Sequence, residues 1–218
     1  MRYPFAIFDF DGTIADTRKP ITLSANHALK ELGYATREHD EIQALVGLPL
    51  AQVLTTLAGE DDRADELCAT YRAIFGSFAK DNSPLFDGAR EALHALHDAG
   101  VTLAVTTSRS LSSLAKFLEQ HDLGSFFSVL AGGDSVEKGK PHPEMLELVM
   151  GKAGFDADAS LMIGDTTHDM EMGHAAGMHT CAVSYGNHTR DRLATSGPTY
   201  FADHADAIPG FVLSARSG

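Results

Sequence analysis

Residues 5–10 carry five apolar side chains and one polar one, Asp9, a run too continuous for a strand with one wet face. It predicts a central parallel strand covered on both sides. A carboxylate near the end of such a strand costs several kcal/mol unless a cation or hydrogen bonds compensate it, so Asp9 asks for a partner. Asp11 follows two residues later, and Gly12 permits a tight turn.

Beyond that loop the apolar spacing becomes helical. Thr17 is placed to cap a helix with Pro20 in its first turn; Ile21, Ala25, Ala28, Leu29 and Leu32 share one face, and Gly33 ends it. Residues 38–46, 50–58 and 62–79 repeat the three-to-four spacing with no strand between them, which predicts a small all-helical insert over 17–83. The Asn, Ser, Pro and Gly of residues 81–88 mark the return to the main domain. The pattern then alternates. A helix capped by Asp87 runs to Gly100, followed by a strand at 101–106, a helix at 111–121, a strand at 126–130 and a helix at 143–152. A strand at 160–163, a helix at 168–176, strands at 178–183 and 199–202 and a partly helical tail from 205 complete it. Such alternation means right-handed crossovers and an α/β, doubly wound parallel sheet, with the core at 1–16 and 84–218 and the helical cap at 17–83.

Ligands of such sheets lie beyond the carboxyl ends of the strands. Those ends collect Asp9 and Asp11, then Thr107, Ser108 and Arg109, then Lys140, then Asp165 and Asp169. Singly, each has a plainer reading: Thr107 can start the helix at 111, Thr166 with Asp169 can form a capping box, and Lys138 and Lys140 can be solvated. Together they suit phosphoryl chemistry. Oxygen-only carboxylates fit a hard cation such as Mg²⁺, a hydroxyl and a lysine can neutralise phosphoryl oxygens, one aspartate can attack phosphorus and another can move protons.

Composition narrows the partners. Seventeen Lys and Arg against 30 Asp and Glu, a formal charge of −13 over 218 residues, argue against nucleic acid or an anionic membrane. A small phosphorylated metabolite met by a few placed cations is the expectation, with the protein a monomer or homodimer. No segment reads as a signal peptide or membrane span, so the cytoplasm is the default. Cys68 and Cys181 are too few for a disulfide framework, and His94 and His97 at helical spacing suit an amphipathic face.

With these residues assembled, the chain resembles the haloacid dehalogenase (HAD) superfamily of phosphohydrolases, most closely its phosphoglycolate phosphatase-like members with a helical C1-type cap. Asp9-Phe10-Asp11-Gly12-Thr13 resembles the family's first motif, Thr107 its second, Lys140 before Pro141 its third, and Gly164 to Asp169 its fourth. The resemblance implies that Asp9 is the nucleophile and Asp11 the general acid/base. It also implies that Asp9, Asp165 and the main-chain carbonyl of Asp11 hold Mg²⁺, with Asp169 in the metal site acting through water or from behind the ligands. Thr107 and Lys140 would bind the phosphoryl group, Gly12, Thr13, Ser108 and Arg109 would line the substrate site, and the insert would be a mobile cap hinged near 15–19 and 82–87. Thr166 stands where the family often has Ser, and the hydroxyl survives.

The function expected is Mg²⁺-dependent hydrolysis of a small phosphate monoester through an aspartyl phosphate. A β-phosphoglucomutase-like phosphomutase would use the same catalytic residues. A phospho-accepting receiver domain gathers similar groups but needs no cap, and a dehalogenase needs neither Asp11 nor Asp165. The turn Val46 to Leu50 is the part of the insert expected to face the core, and residues 42–57 hold no Arg or Lys for a second phosphate, which favours the hydrolase. Arg109 could meet the carboxylate of a phosphoglycolate-like acid or serve at a helix start.

Overall fold

The apolar run at the N-terminus forms β1 (Phe5–Phe8), buried throughout and ending just before Asp9. The computed structural model describes residues 2–214. After the loop come four helices with no strand between them: α1 (Arg18–Glu31), α2 (His39–Gln43), α3 (Leu50–Ala58) and α4 (Ala64–Ala79). Their buried faces meet in a hydrophobic cluster of their own that includes Ala28, Leu29, Ile42, Leu54 and Leu67. Helix α2 is shorter than the periodicity predicts, because the chain turns away after Gln43 and passes through Gly47 at φ +99°. A side chain there would meet the Thr166 Oγ1 at 2.9 Å, so only glycine lets this turn lie against the core.

The two crossings between insert and core run side by side. Ala15 and Leu85 form an antiparallel bridge, flanked by Asp16 N–H to the Pro84 carbonyl at 2.8 Å and Phe86 N–H to the Ile14 carbonyl at 3.1 Å.

The rest of the chain alternates: α5 (Ala89–Asp98), β2 (Thr102–Thr106), α6 (Leu111–Gln120), β3 (Phe127–Ala131), α7 (Glu144–Ala153), β4 (Ser160–Gly164), α8 (Thr167–Ala175), β5 (His179–Val183), α9 (Arg190–Ala194), β6 (Tyr200–Ala202) and α10 (Ile208–Leu213). The six strands form one parallel sheet in the order β3-β2-β1-β4-β5-β6. Its two faces are dry because successive side chains of β1 alternate between them. Phe5 and Ile7 join Met145, Val149 and Met172, while Ala6 and Phe8 join Leu93, Phe117 and Val212 on the other side. The winding reverses between β1 and β4, and the crevice this leaves at their carboxyl ends is the place where α/β sheets bind ligands.

Three local expectations need correction. Asp87 is exposed and does not cap α5; Gly88 at φ +79° precedes that helix, because the approach to it needs a left-handed residue. Thr17 does stand before α1, but its hydroxyl donates to Asp11 Oδ1 at 2.8 Å instead of receiving a helix N–H. Thr107 does not start α6, whose first turn is capped by the Ser110 hydroxyl. The short α9 is not foreshadowed by the pattern. Both cysteines are free and buried, and among the described residues no helix is long and apolar enough to cross a membrane.

Candidate active site

Asp9 leaves β1 with its N–H still bonded to the Ile163 carbonyl of β4 at 2.8 Å, which carries the ladder one residue past the strand and aims the carboxylate into the crevice. Its partner is Lys140. The ammonium, only 1% exposed, lies 2.6 Å from Asp9 Oδ1 and 2.7 Å from Asp169 Oδ1. Lys138 is exposed, so burial, like the Lys140-Pro141 context in the sequence, singles out Lys140. Burial works against the Lys140 charge, but Asp169 and Asp9 outweigh it and hold the amine protonated well above its ordinary pKa. For Asp9 the balance tips the other way: loss of solvent, with Asp169 and Asp165 adding repulsion, raises its pKa despite the lysine.

Asp169 serves two structures at once. Its Oδ2 accepts the Thr166 N–H at 3.1 Å and the Thr166 hydroxyl at 2.7 Å, closing the capping box of α8, while Oδ1 takes Lys140. The capping box and the contact with Lys140 therefore share one carboxylate. Asp165 follows β4 and is fully buried; Thr13 donates to its Oδ1 at 3.1 Å, and Asn187 donates to its Oδ2 through the main chain at 2.6 Å and the side chain at 2.7 Å. Burial and the neighbouring Asp169 push Asp165 up to about 7 even so.

Among the described residues, Asp9, Asp165 and Asp169 each bring one carboxylate oxygen within 4.8 Å of the others. Three buried carboxylates facing one lysine form a donor set of hard oxygens with surplus negative charge, which fits a divalent cation of the Mg²⁺ type. The Asp11 carbonyl lies at the edge of this cluster, bonded at 3.2 Å by the same Asn187 amide that reaches Asp165.

The Asp11 carboxylate points elsewhere. It is gripped by Arg109, with Nε 3.2 Å from Oδ2 and Nη2 against Oδ1, and it also accepts from Thr17 and, at 3.4 Å, from Thr107. Against the cost of burial, the guanidinium holds Asp11 below the usual carboxylate range. Arg109 is fixed in turn by Ser113 at 3.1 Å and lies over the ring of Phe75 from α4 at 4.7 Å. Ser108 ties core to insert, donating to the Gly47 carbonyl at 2.6 Å.

Asp9, Asp11, Thr107, Ser108 and Arg109 open onto one cavity of about 340 Å³ between core and insert. Two expected substrate contacts lie outside it. The Thr13 hydroxyl is turned to Asp165, and Gly12 is packed so closely that a side chain would stand 2.2 Å from Asp165 and Asn187, so both residues build the acidic cluster rather than the cavity wall. The turn at 46–50 does line the cavity, and it holds no cation. Helix α4 also lines it, however, and brings Arg72, so the insert is not without positive charge. Asn187 carries no charge and belongs to no motif that would mark it in the sequence; its one signal is its place in the loop beyond the carboxyl end of β5, the strand next to β4.

Comparison with known proteins agrees with this geometry. Residues 6–183 match the family described as haloacid dehalogenase-like hydrolase. A protein of Dickeya dadantii named probable phosphatase IndB is 37% identical over 212 residues, 95% of this chain and 92% of the other. A phosphoglycolate phosphatase of Aliivibrio fischeri is 31% identical over 219 residues, 96% of each. The solved structure of a predicted phosphoglycolate phosphatase from Haemophilus somnus superposes with a TM-score of 0.84 at 26% identity, over 97% of this chain and 98% of the other.

Proposed function

Because the chain belongs to the haloacid dehalogenase-like hydrolases and is a phosphatase, we propose that it hydrolyses a small-molecule phosphate monoester with Mg²⁺, through an aspartyl phosphate on Asp9. The observation that carries this reading is the buried Asp9–Lys140 contact of 2.6 Å, with Asp9 lining a cavity that also receives Asp11 and Thr107. Asp9 attacks phosphorus and the bond to the leaving oxygen breaks, while Lys140 and the Thr107 hydroxyl meet the equatorial oxygens. Asp11 gives the leaving alkoxide its proton, then takes one from the water that attacks the aspartyl phosphate, releasing orthophosphate and restoring Asp9. In the free enzyme Arg109 keeps Asp11 ionised; a phosphate dianion competes for the guanidinium and frees the carboxylate to carry that proton. A divalent cation held by Asp9, Asp165 and the Asp11 carbonyl, with Asp169 beside it, would draw charge from the phosphoryl oxygens. The net charge of −13 favours a small metabolite over a polyanion as partner.

A receiver domain has no use for a site enclosed by an insert, whereas turnover that must exclude bulk water does. A phosphomutase would need the insert to hold a second phosphate. Arg72 supplies one cation, but it is an exposed side chain and the turn over the site adds none, which favours hydrolysis. Product analysis decides. With hexose 1-phosphates, a bisphosphate primer and phosphoglycolate, accumulating orthophosphate is expected; isomerised sugar phosphate without orthophosphate would overturn the hydrolase reading.

The insert is proposed as a lid hinged at the paired segments around Ala15 and Leu85. Amide exchange at residues 15–19 and 82–87 is expected to be faster than in β1 and to slow when inorganic phosphate and Mg²⁺ are added. Protection equal to β1 in both states would count against a moving lid.

A further inference from the structure

Resting on the hydrolase reading, we propose that the substrate is the phosphomonoester of an alcohol carrying an apolar ring, lodged between α1, α3 and α4 and the core, rather than a short acid. The cavity of about 340 Å³ carries its carboxylates and hydroxyls along the core wall, to which the insert adds the single cation Arg72. The opposite wall is built by Ile21, Val46, Leu50, Val53, Tyr71 and Phe75. Tyr71 and Phe75, one turn apart on α4, stack at 5.5 Å and 20° and present an aromatic surface.

A two-carbon acid phosphate has about nine heavy atoms, whereas cavities of this size enclose most of a ligand several times larger. It would leave the apolar wall facing trapped water, which is the arrangement that burial of a ring removes. The group that a short acid would need is also committed. Arg109 spends Nε and Nη2 on Asp11 and Nη1 on Ser113, and in turnover it passes from Asp11 to the phosphate dianion, so a substrate carboxylate must compete with one or the other at every stage. Tyr71, by contrast, makes no hydrogen bond among the described residues through its hydroxyl, so a ring laid against it in the cavity breaks no existing contact. Arg72 and Lys116 line the same space as exposed cations, and in a chain of charge −13 they admit the anionic ester.

The test is the specificity constant for three esters with unactivated alkyl leaving groups: ethyl phosphate, phenethyl phosphate and phosphoglycolate, each with Mg²⁺. The expected result is a kcat/KM for phenethyl phosphate at least about tenfold above both others. In Phe75→Ala the ratio of phenethyl to ethyl phosphate should fall below about threefold; as a ratio within one preparation, it is insensitive to partial misfolding. Phosphoglycolate or ethyl phosphate turned over as well as phenethyl phosphate would overturn the proposal and leave the hydrolase reading standing. A ratio unchanged by Phe75→Ala would overturn it too. Release of orthophosphate from none of the three would overturn the hydrolase reading and this inference with it.

Discussion

Asp9→Asn is expected to lower the rate of orthophosphate release by more than about a hundredfold, a barrier increase above roughly 3 kcal/mol. The amide is nearly the same shape but cannot attack phosphorus. The fold should survive, because Lys140 keeps its 2.7 Å contact with Asp169 and the Asn carbonyl can still accept from it. Burial and two neighbouring carboxylates already raise the Asp9 pKa, so the metal-free variant should melt no lower than the wild type. The measurement is turnover of p-nitrophenyl phosphate together with a melting curve in EDTA. More than about a hundredth of the wild-type rate would rule out Asp9 as the nucleophile.

Removal of divalent metal is expected to abolish turnover and to make stability depend on pH in a defined direction. Asp165 is held at about 7 in the folded protein, far above its value in an unfolded chain. A carboxyl raised on folding contributes stability that is complete below the unfolded pKa near about 4 and is lost as pH rises toward 7. In EDTA the melting temperature should therefore fall between pH 5.5 and pH 8 through this group. A cation competes with the proton for the same oxygens, so the gain in melting temperature on adding Mg²⁺ should be larger at pH 8 than at pH 5.5. The difference between Mg²⁺ and EDTA at each pH cancels titrations elsewhere in the chain. Full activity in EDTA, or a Mg²⁺ shift no larger at pH 8, would remove the metal from the acidic cluster.

Much of this arrangement could be read from the chain, because the signals were local. An apolar run interrupted by Asp9 marks a buried strand with an expensive end, and the bounds of α3 match the periodicity of 50–58 residue for residue. What escaped depends on groups far apart in sequence. The Arg109–Asp11 pair spans 98 positions, and nothing in either neighbourhood fixes the direction of the guanidinium. Asn187 acts through an amide and a backbone N–H, neither of which carries a charge pattern. Thr13 belonged to the right motif, but which way its hydroxyl turns is decided by Asp165, 152 residues on. In α4 the spacing of Leu67 and Cys68 shows which side is buried, yet periodicity cannot tell a face that meets solvent from one that meets a cavity, so Tyr71, Arg72 and Phe75 were not singled out.

The antiparallel contact of Ala15 with Leu85 means that the chain departs from the core and comes back at a single point. To the sheet, everything from Thr17 to Ser83 is one closed loop whose ends already touch, and the entropy of such a closure grows only by about 0.6 kcal/mol for each doubling of length. The core therefore bears almost no penalty for the size of what is threaded there. Exchange of the segment beyond Thr17, whose hydroxyl holds Asp11, would leave the mutual contacts of Asp9, Lys140, Asp165 and Asp169 untouched, because every one of them is made between core elements, so what covers the acidic cluster can change without rebuilding it.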